Sequence, residues 1–239
     1  HGFGDVERTK VVVLYPKGRV SQLQQEQLRR VAANVQTLEV DGDFDACQAL
    51  VKQALADTAL VEKVGLTSAN SITVGRLLPQ TLYYARAFAQ LGGRGDLRFV
   101  VPSGNLGNIT GGVLAQHMGI PIASFLAANN ANNAIDQYAR SGAFTPFAAV
   151  PTISNAMDIG APNNLPRLQR IFGGDVAAFR SDIKTDCVTD ENTVATIKKV
   201  YADTGYLLDP HTAVAWYASE QHPDTAVRDV IVSTAAPEK

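Results

Sequence analysis

The feature that most constrains this chain is the run Lys10-Val11-Val12-Val13-Leu14-Tyr15, closed by Pro16-Lys17-Gly18. An unbroken β-branched run suits a strand covered on both faces of a parallel sheet, whereas a half-exposed antiparallel strand alternates apolar and polar residues. The run is therefore expected to be an interior strand. Ser21 can cap a following helix, in which Leu23, Leu28 and Val31 keep roughly helical spacing, and a second strand is expected over 35–40. Strand, helix, strand implies a parallel crossover.

The alternation continues along the chain. Residues 43–59 read as helical, 65–70 as turn-rich and 74–91 as helical again, with Pro79 either kinking that segment or marking its start. A buried strand is expected at 97–101, a helix at 110–118 and a strand at 121–126. The Asn-rich 129–133 and the polar stretch 152–164, which holds Gly160 and Pro162, read as loops. Toward the end come a helix over 189–204, another after Pro210 and a strand over 229–233. The expected class is α/β, with mostly parallel sheets flanked by helices. Such sheets bind ligands in the crevice beyond the carboxyl ends of their strands.

Composition enters through what it excludes. A formal net charge of −2, with Lys and Arg scattered over 239 residues, offers no footprint for nucleic acid or an anionic membrane surface. No apolar run reaches the roughly eighteen residues a membrane helix needs. Cys47 and Cys187 have no Cys or His neighbours at metal-ligand spacing, so neither a metal site nor a disulfide framework is expected. The start at His1 has neither an initiator Met nor a signal-peptide pattern, which suggests a trimmed chain from a reducing cytoplasm.

The most informative stretch is Leu97-Arg98-Phe99-Val100-Val101 followed by Pro102-Ser103-Gly104-Asn105-Leu106-Gly107-Asn108 and a helix. A strand delivers a turn with two glycines into a helix N-terminus, where backbone N–H groups and the helix dipole favour an anion, and Ser103 and Asn105 can add side-chain donors. The turn lacks the Gly-Lys-Ser/Thr ending of a nucleotide loop and the spacing of the dinucleotide fingerprint, so a small phosphate suits it better. Read locally, it is either an anion loop or an ordinary glycine-containing connection.

Together with two further segments, this stretch resembles the threonine synthase family, one of the fold-type-II pyridoxal-phosphate enzymes. The other two are Ser68-Ala69-Asn70-Ser71-Ile72-Thr73 with Arg76, and Asp209-Pro210-His211-Thr212-Ala213-Val214. Similar stretches at 15–21, 41–51 and 154–164 carry the likeness over nearly the whole chain. The resemblance implies a tryptophan synthase β-like architecture with pyridoxal 5'-phosphate as cofactor. It also implies conversion of O-phospho-L-homoserine and water to L-threonine and phosphate. Ser103, Gly104, Asn105, Leu106, Gly107 and Asn108 would hold the cofactor phosphate, Thr234 would meet the pyridine nitrogen, and Asn70, Ser71 and Arg76 would hold the substrate phosphate. By local pattern alone, Arg76 is equally a solvated charge and Thr234 a strand-end hydroxyl. The family's histidine two residues after Thr234 is replaced by Ala236. His211 and Asp209 are expected to be structural, the latter a helix cap, and Asp158 an exposed loop carboxylate.

The same resemblance marks what is missing. The Schiff-base lysine of the family sits in a Phe-Lys-Asp segment, and the substrate carboxylate is received by a Ser-Gly-Asp-Thr-Gly loop. Neither occurs here. No catalytic residue is therefore expected in this chain, which is expected to be an incomplete piece, inactive alone. Residues 1–90 would be the remainder of a smaller domain and 91–239 an incomplete larger one. Two other readings stay open: another fold-type-II lyase, which Arg76 argues against because its substrate carries no γ-phosphate, and a non-catalytic phosphate- or cofactor-binding module. A homo-oligomer or self-association is expected, because a parallel sheet short of strands leaves unpaired edges.

Overall fold

The computed structural model describes residues 2–20, 22–29, 32–70, 73–93 and 95–237; Ser21, Val31 and Ser71, and the side chain of Leu23, named above, lie outside the described residues. The chain divides after Ser68 into two compact units, 1–68 and 69–239. Residues 69–90 thus go with the larger unit, where the expected division fell at 90. The cause is packing: Leu77 and Tyr84 are fully buried, and Tyr84 joins the core of the larger unit.

The first unit holds β1 (Val11–Pro16), α1 (Gln22–Arg29), β2 (Val35–Val40), α2 (Phe44–Ala56) and α3 (Thr58–Val64). β1 and β2 pair in parallel from Val11↔Val35 to Pro16↔Val40, as the crossover requires. The helical stretch expected over 43–59 divides at Asp57, which ends α2 and caps α3 by accepting from Leu60 N (3.0 Å). Asp43 caps α2 in the same way through Ala46 N (2.8 Å). Polar caps satisfy first-turn N–H groups that have no partner within the helix.

The second unit begins with two short 3-10 turns, Val74–Arg76 and Leu78–Gln80, before α4 (Thr81–Gln90). Pro79 sits in the turn just ahead of the helix, where its missing N–H costs nothing. There follow β3 (Leu97–Pro102), α5 (Gly107–His117), β4 (Ile122–Asn129), α6 (Ala134–Ser141), α7 (Leu165–Ile171), α8 (Val176–Asp182) and β5 (Ile183–Cys187). α9 (Asp190–Thr204), α10 (Pro210–Gln221) and β6 (Arg228–Ile231) complete it. The sheet order is β5-β4-β3-β6, with every pair parallel.

Side chains alternate between the two covered faces of this sheet. Leu97, Phe99, Val101 and Phe125 face a core with Tyr84 of α4, Ile109 and Val113 of α5, and Leu168 and Phe179 of α7 and α8. Val100 and Leu126 face Val214 and Ala218 of α10. Gly112 of α5 permits the closest of these contacts, because a Cβ there would lie 2.6 Å from Phe125 and 2.7 Å from Tyr84. The charge in the buried run of β3 is also satisfied. Arg98 forks onto Asp229, its register partner on β6, through Nε and Nη2 (both 2.7 Å), and donates to His222 O (2.6 Å). This bidentate pair fixes β6 beside β3 and so places the chain after β6 next to the chain after β3.

Candidate functional site

Beyond Pro102 the chain turns through four residues into α5, which begins at Gly107 and not, as expected, near 110. The turn is braced from inside. Ser103 is fully buried; its N–H donates to Ala128 O and its hydroxyl to Val101 O (both 2.8 Å). Asn108 Nδ2 donates to Pro102 O (2.7 Å), while Asn108 Oδ1 accepts from Ile109 N (2.9 Å). Leu106 adopts φ 63°, a left-handed conformation that disfavours a residue with a Cβ. It is held by burial and by its carbonyl, which accepts from Thr110 Oγ1 (2.6 Å) and Thr110 N (3.0 Å). The Ser103 hydroxyl therefore braces the loop and is not presented to a ligand. What remains for an anion is the backbone: the N–H groups of Gly107 and Asn108, which have no acceptor within the helix, and the positive end of its dipole.

A second loop, expected only as an irregular stretch, is built against this turn. A Cβ on Gly104 would meet Met157 Cα at 2.6 Å, so glycine is required where the 3-10 turn Asn155–Met157 crosses it. Asn163 N donates to Asn105 Oδ1 (2.7 Å) and Asn164 Nδ2 to Asn105 O (2.8 Å). The loop is tied internally by Asp158. Its Oδ1 accepts from Thr152 Oγ1 (2.7 Å), Asn130 Nδ2 (2.9 Å) and Asn132 Nδ2 (3.0 Å), and its Oδ2 from Thr152 N (2.9 Å). Asp158 is thus a half-buried fastener, not the exposed carboxylate expected. Burial raises its carboxyl above the usual range, against the lowering effect of the Thr152 and Asn130 bonds.

Asp209 caps α10 as expected, accepting from His211 N (2.9 Å) and Thr212 N (3.1 Å). His211 is buried; its Nδ1 lies 3.0 Å from Asp209 Oδ1, and its Nε2 accepts from Ala156 N (3.3 Å). A backbone N–H can only donate, so Nε2 is bare and the ring proton sits on Nδ1, aimed at the carboxylate. Burial alone would raise the Asp209 carboxyl, but the bonds from His211 and Thr212 outweigh it and hold it below the usual range. His211 is accordingly structural.

At the carboxyl end of the sheet, Asn108, Ser233 and Thr234 line one cavity of about 510 Å³, whose walls include Gln80 and Tyr83 of the α4 region, Phe99 of β3 and Val230 and Val232 from β6 onward. The structure therefore brings together two residues far apart in sequence, Asn108 and Thr234. A cavity of this volume, lined by apolar side chains and by the polar groups of Gln80, Tyr83, Asn108, Ser233 and Thr234, lies in the size range of small-ligand sites. Arg76 and Asn70 do not line it. Arg76 is exposed and donates to Ala69 O (3.2 Å), while Gln80 Nε2 donates to Arg76 O (2.9 Å). Gln80 and Leu77 also pack on Gly107. Of the residues that shape the loop, sequence reasoning missed Asn163, Asn164, Asn130 and Gln80. The Asn-rich 129–133 and the doubled asparagines after Pro162 were the local signals for three of them, and Gln80 had none.

The pyridoxal-phosphate dependent enzyme family matches residues 6–234. Threonine synthase of Serratia marcescens is 42% identical over 241 residues, spanning 100% of this chain and 56% of that protein. Among solved structures, threonine synthase from Escherichia coli superposes with a TM-score of 0.91 at 40% identity, covering 99% of this chain and 55% of that one. Pyridoxal-phosphate-bound threonine synthase from Brucella melitensis gives a TM-score of 0.85 at 33% identity, covering 98% and 56%. The chain spans a little over half the length of these relatives.

Proposed function

This chain belongs to the pyridoxal-phosphate dependent enzyme family, and from that premise we propose that the complete protein is a threonine synthase, converting O-phospho-L-homoserine and water to L-threonine and phosphate. One observation carries the reading: a strand-to-helix anion loop at 103–108 opens, through Asn108, on the cavity that also holds Thr234. The residues present fit the cofactor. Its phosphate suits the bare N–H groups at the start of α5, its flat ring suits the apolar wall, and the Thr234 hydroxyl suits the ring nitrogen. The cradle is too close for any side chain at Gly104. When bound, the cofactor supplies an electron sink for carbanion chemistry on an amino acid.

In this reading the loop from Ser103 to Asn108 holds the cofactor phosphate. Asn70, Ser71 and Arg76 hold the substrate phosphate, the exposed Arg76 offering a planar fork of donors suited to a phosphate. Gln80 couples the two segments, since it bonds the Arg76 carbonyl and packs on Gly107. None of the lysines of this chain forms the Schiff base, and the chain alone is inactive. The free thiols Cys47 and Cys187 support a reducing cytoplasm as the compartment. Self-association belongs to the same reading and is supported by exposed Val12 and Leu38 on the two-stranded sheet; light scattering tests it.

The test has two parts. The complete protein should release phosphate from O-phospho-L-homoserine; deamination of serine or threonine without phosphate release overturns the reading in favour of another lyase. The 239-residue chain, incubated with pyridoxal phosphate, reduced with borohydride and mapped by mass spectrometry, should show no stoichiometric lysine adduct. A single full site overturns the assignment of inactivity.

A further inference from the structure

The Asp209-Pro210-His211-Thr212 segment at the start of α10 is the one motif with no part in the proposed binding of cofactor or substrate. The side chains of Asp209, His211 and Thr212 are buried, and two of them reach segments that shape the site, His211 at Ala156 and Thr212 at Ser233. We propose that Asp209, His211 and Thr212 form a positioning hub that sets the anion loop and the end of β6 in register with each other. They are positioning residues, since none of them lines the cavity. The inference rests on the proposed cofactor site and adds how that site is held.

The first arm runs through His211. With its proton committed to Asp209, the ring offers Nε2 as a fixed acceptor to Ala156 N. Ala156 lies inside the 3-10 turn Asn155–Met157, and Met157 is the residue that presses on Gly104. Moving that turn moves the floor of the anion loop. The second arm runs through Thr212, whose hydroxyl bonds the other Asp209 oxygen and that of Ser233 (3.2 Å). Ser233 lines the cavity beside Thr234. One carboxylate thus orients two side chains that hold two loops, from segments separated by 55 residues on one side and 21 on the other. The tie exists only while Nε2 is an acceptor and Asp209 is ionised, because a protonated ring would turn a donor toward a donor.

Two substitutions that keep a polar amide in the same pocket separate positioning from bulk stability. His211→Gln can place its carbonyl oxygen where Nε2 was, while His211→Asn is too short to reach Ala156 and can satisfy only Asp209. In the complete protein, amide hydrogen exchange at Ala156 should stay within about threefold of the parent for His211→Gln and rise about tenfold for His211→Asn, the factor expected for loss of one hydrogen bond. Affinity for pyridoxal phosphate, followed by the 31P shift of its phosphate, should change in parallel. Ser233→Ala, which cuts only the second arm, should weaken pyridoxal phosphate severalfold and leave Ala156 exchange unchanged. Equal Ala156 exchange in His211→Gln and His211→Asn overturns the hub, as does Asn-variant affinity equal to the parent's. If the parent itself shows no phosphate shift, the cofactor-site reading fails instead, and Ala156 exchange still decides the tie.

Discussion

The two units are written in the same grammar, parallel strands joined through helices, yet they differ in how much of the apolar surface they cover. In 1–68, Val12 on β1 is 57% exposed and Leu38 on β2 45%, and Tyr15 and Cys47 are the buried apolar side chains among the described residues. In 69–239, Phe99, Val100, Phe125 and Leu126 on the central strands are exposed by at most 1%. The difference lies in neighbours. β3 and β4 each have a strand on both sides and helices over both faces, whereas among the described residues β1 and β2 pair only with each other. A β-branched run states what a strand tolerates, and burial needs another layer to lie upon it.

The comparison breaks most plainly on core truncation. Phe125→Ala should cost about 3–5 kcal/mol, whereas Leu38→Ala should cost under about 1 kcal/mol because much of that side chain already meets water. Urea unfolding followed by the single tryptophan, Trp216, reports the second unit, and amide exchange in β1 and β2 reports the first; equal costs for the two variants would mean that the first unit is covered as well as the second. Gly104→Ala comes next. Its new Cβ would lie 2.6 Å from Met157 Cα, so overpacking of about 1–3 kcal/mol is expected. Pyridoxal phosphate affinity should fall with it, whereas unchanged affinity would separate the loop from the cofactor.

Asp57→Ala removes the cap of α3 and should destabilise the first unit by about 1 kcal/mol. If amide exchange quickens in β1 and β2 while the Trp216 midpoint stays, the units unfold independently; a shared shift would make them one cooperative body. The smallest signal is a pair of opposite pH slopes. The Asp45 carboxyl of α2 is raised, mainly by burial and then by Asp43, so the stability it contributes is present below the unfolded value near 4 and is lost as pH rises through its folded value. Asp209 is lowered, so its contribution is present above that value and is lost as pH falls through its folded value. Asp45→Asn should therefore help the first unit increasingly above pH about 4, and Asp209→Asn should flatten the acid limb of the second. Slopes of the same sign in urea titrations would undo the contrast.

Much of the fold was legible. The runs at 11–16, 35–40 and 97–102 are strands because β-branched and aromatic residues leave little alternative, and the capping residues Asp209 and Thr189 announce α10 and α9. The stretch 134–187 was not. α6, α7 and α8 have seven or eight residues each, and β5 reads Ile-Lys-Thr-Asp-Cys, with little apolar period to find. The division after Ser68 follows from Tyr84, which joins a core built largely from β3, β4 and the helices packed on them, a grouping that a pass along the chain cannot weigh.

The site divides along the same line. The residues themselves, with a likeness carried over nearly the whole chain, determined that a glycine turn at 103–108 leads from a buried strand into a helix, that Asp209 caps α10, and that Thr234 follows the last strand. Only the tertiary structure decided that Thr234 shares a cavity with Asn108, that Asn163 reaches Asn105 across 58 residues, and that His211 reaches Ala156 across 55. Caps and strands are chosen by neighbours within a few residues, so their chemistry is written locally. Partners across a sheet are chosen by which buried groups are left needing a donor or acceptor once the layers close, and that need does not exist until the chain has packed.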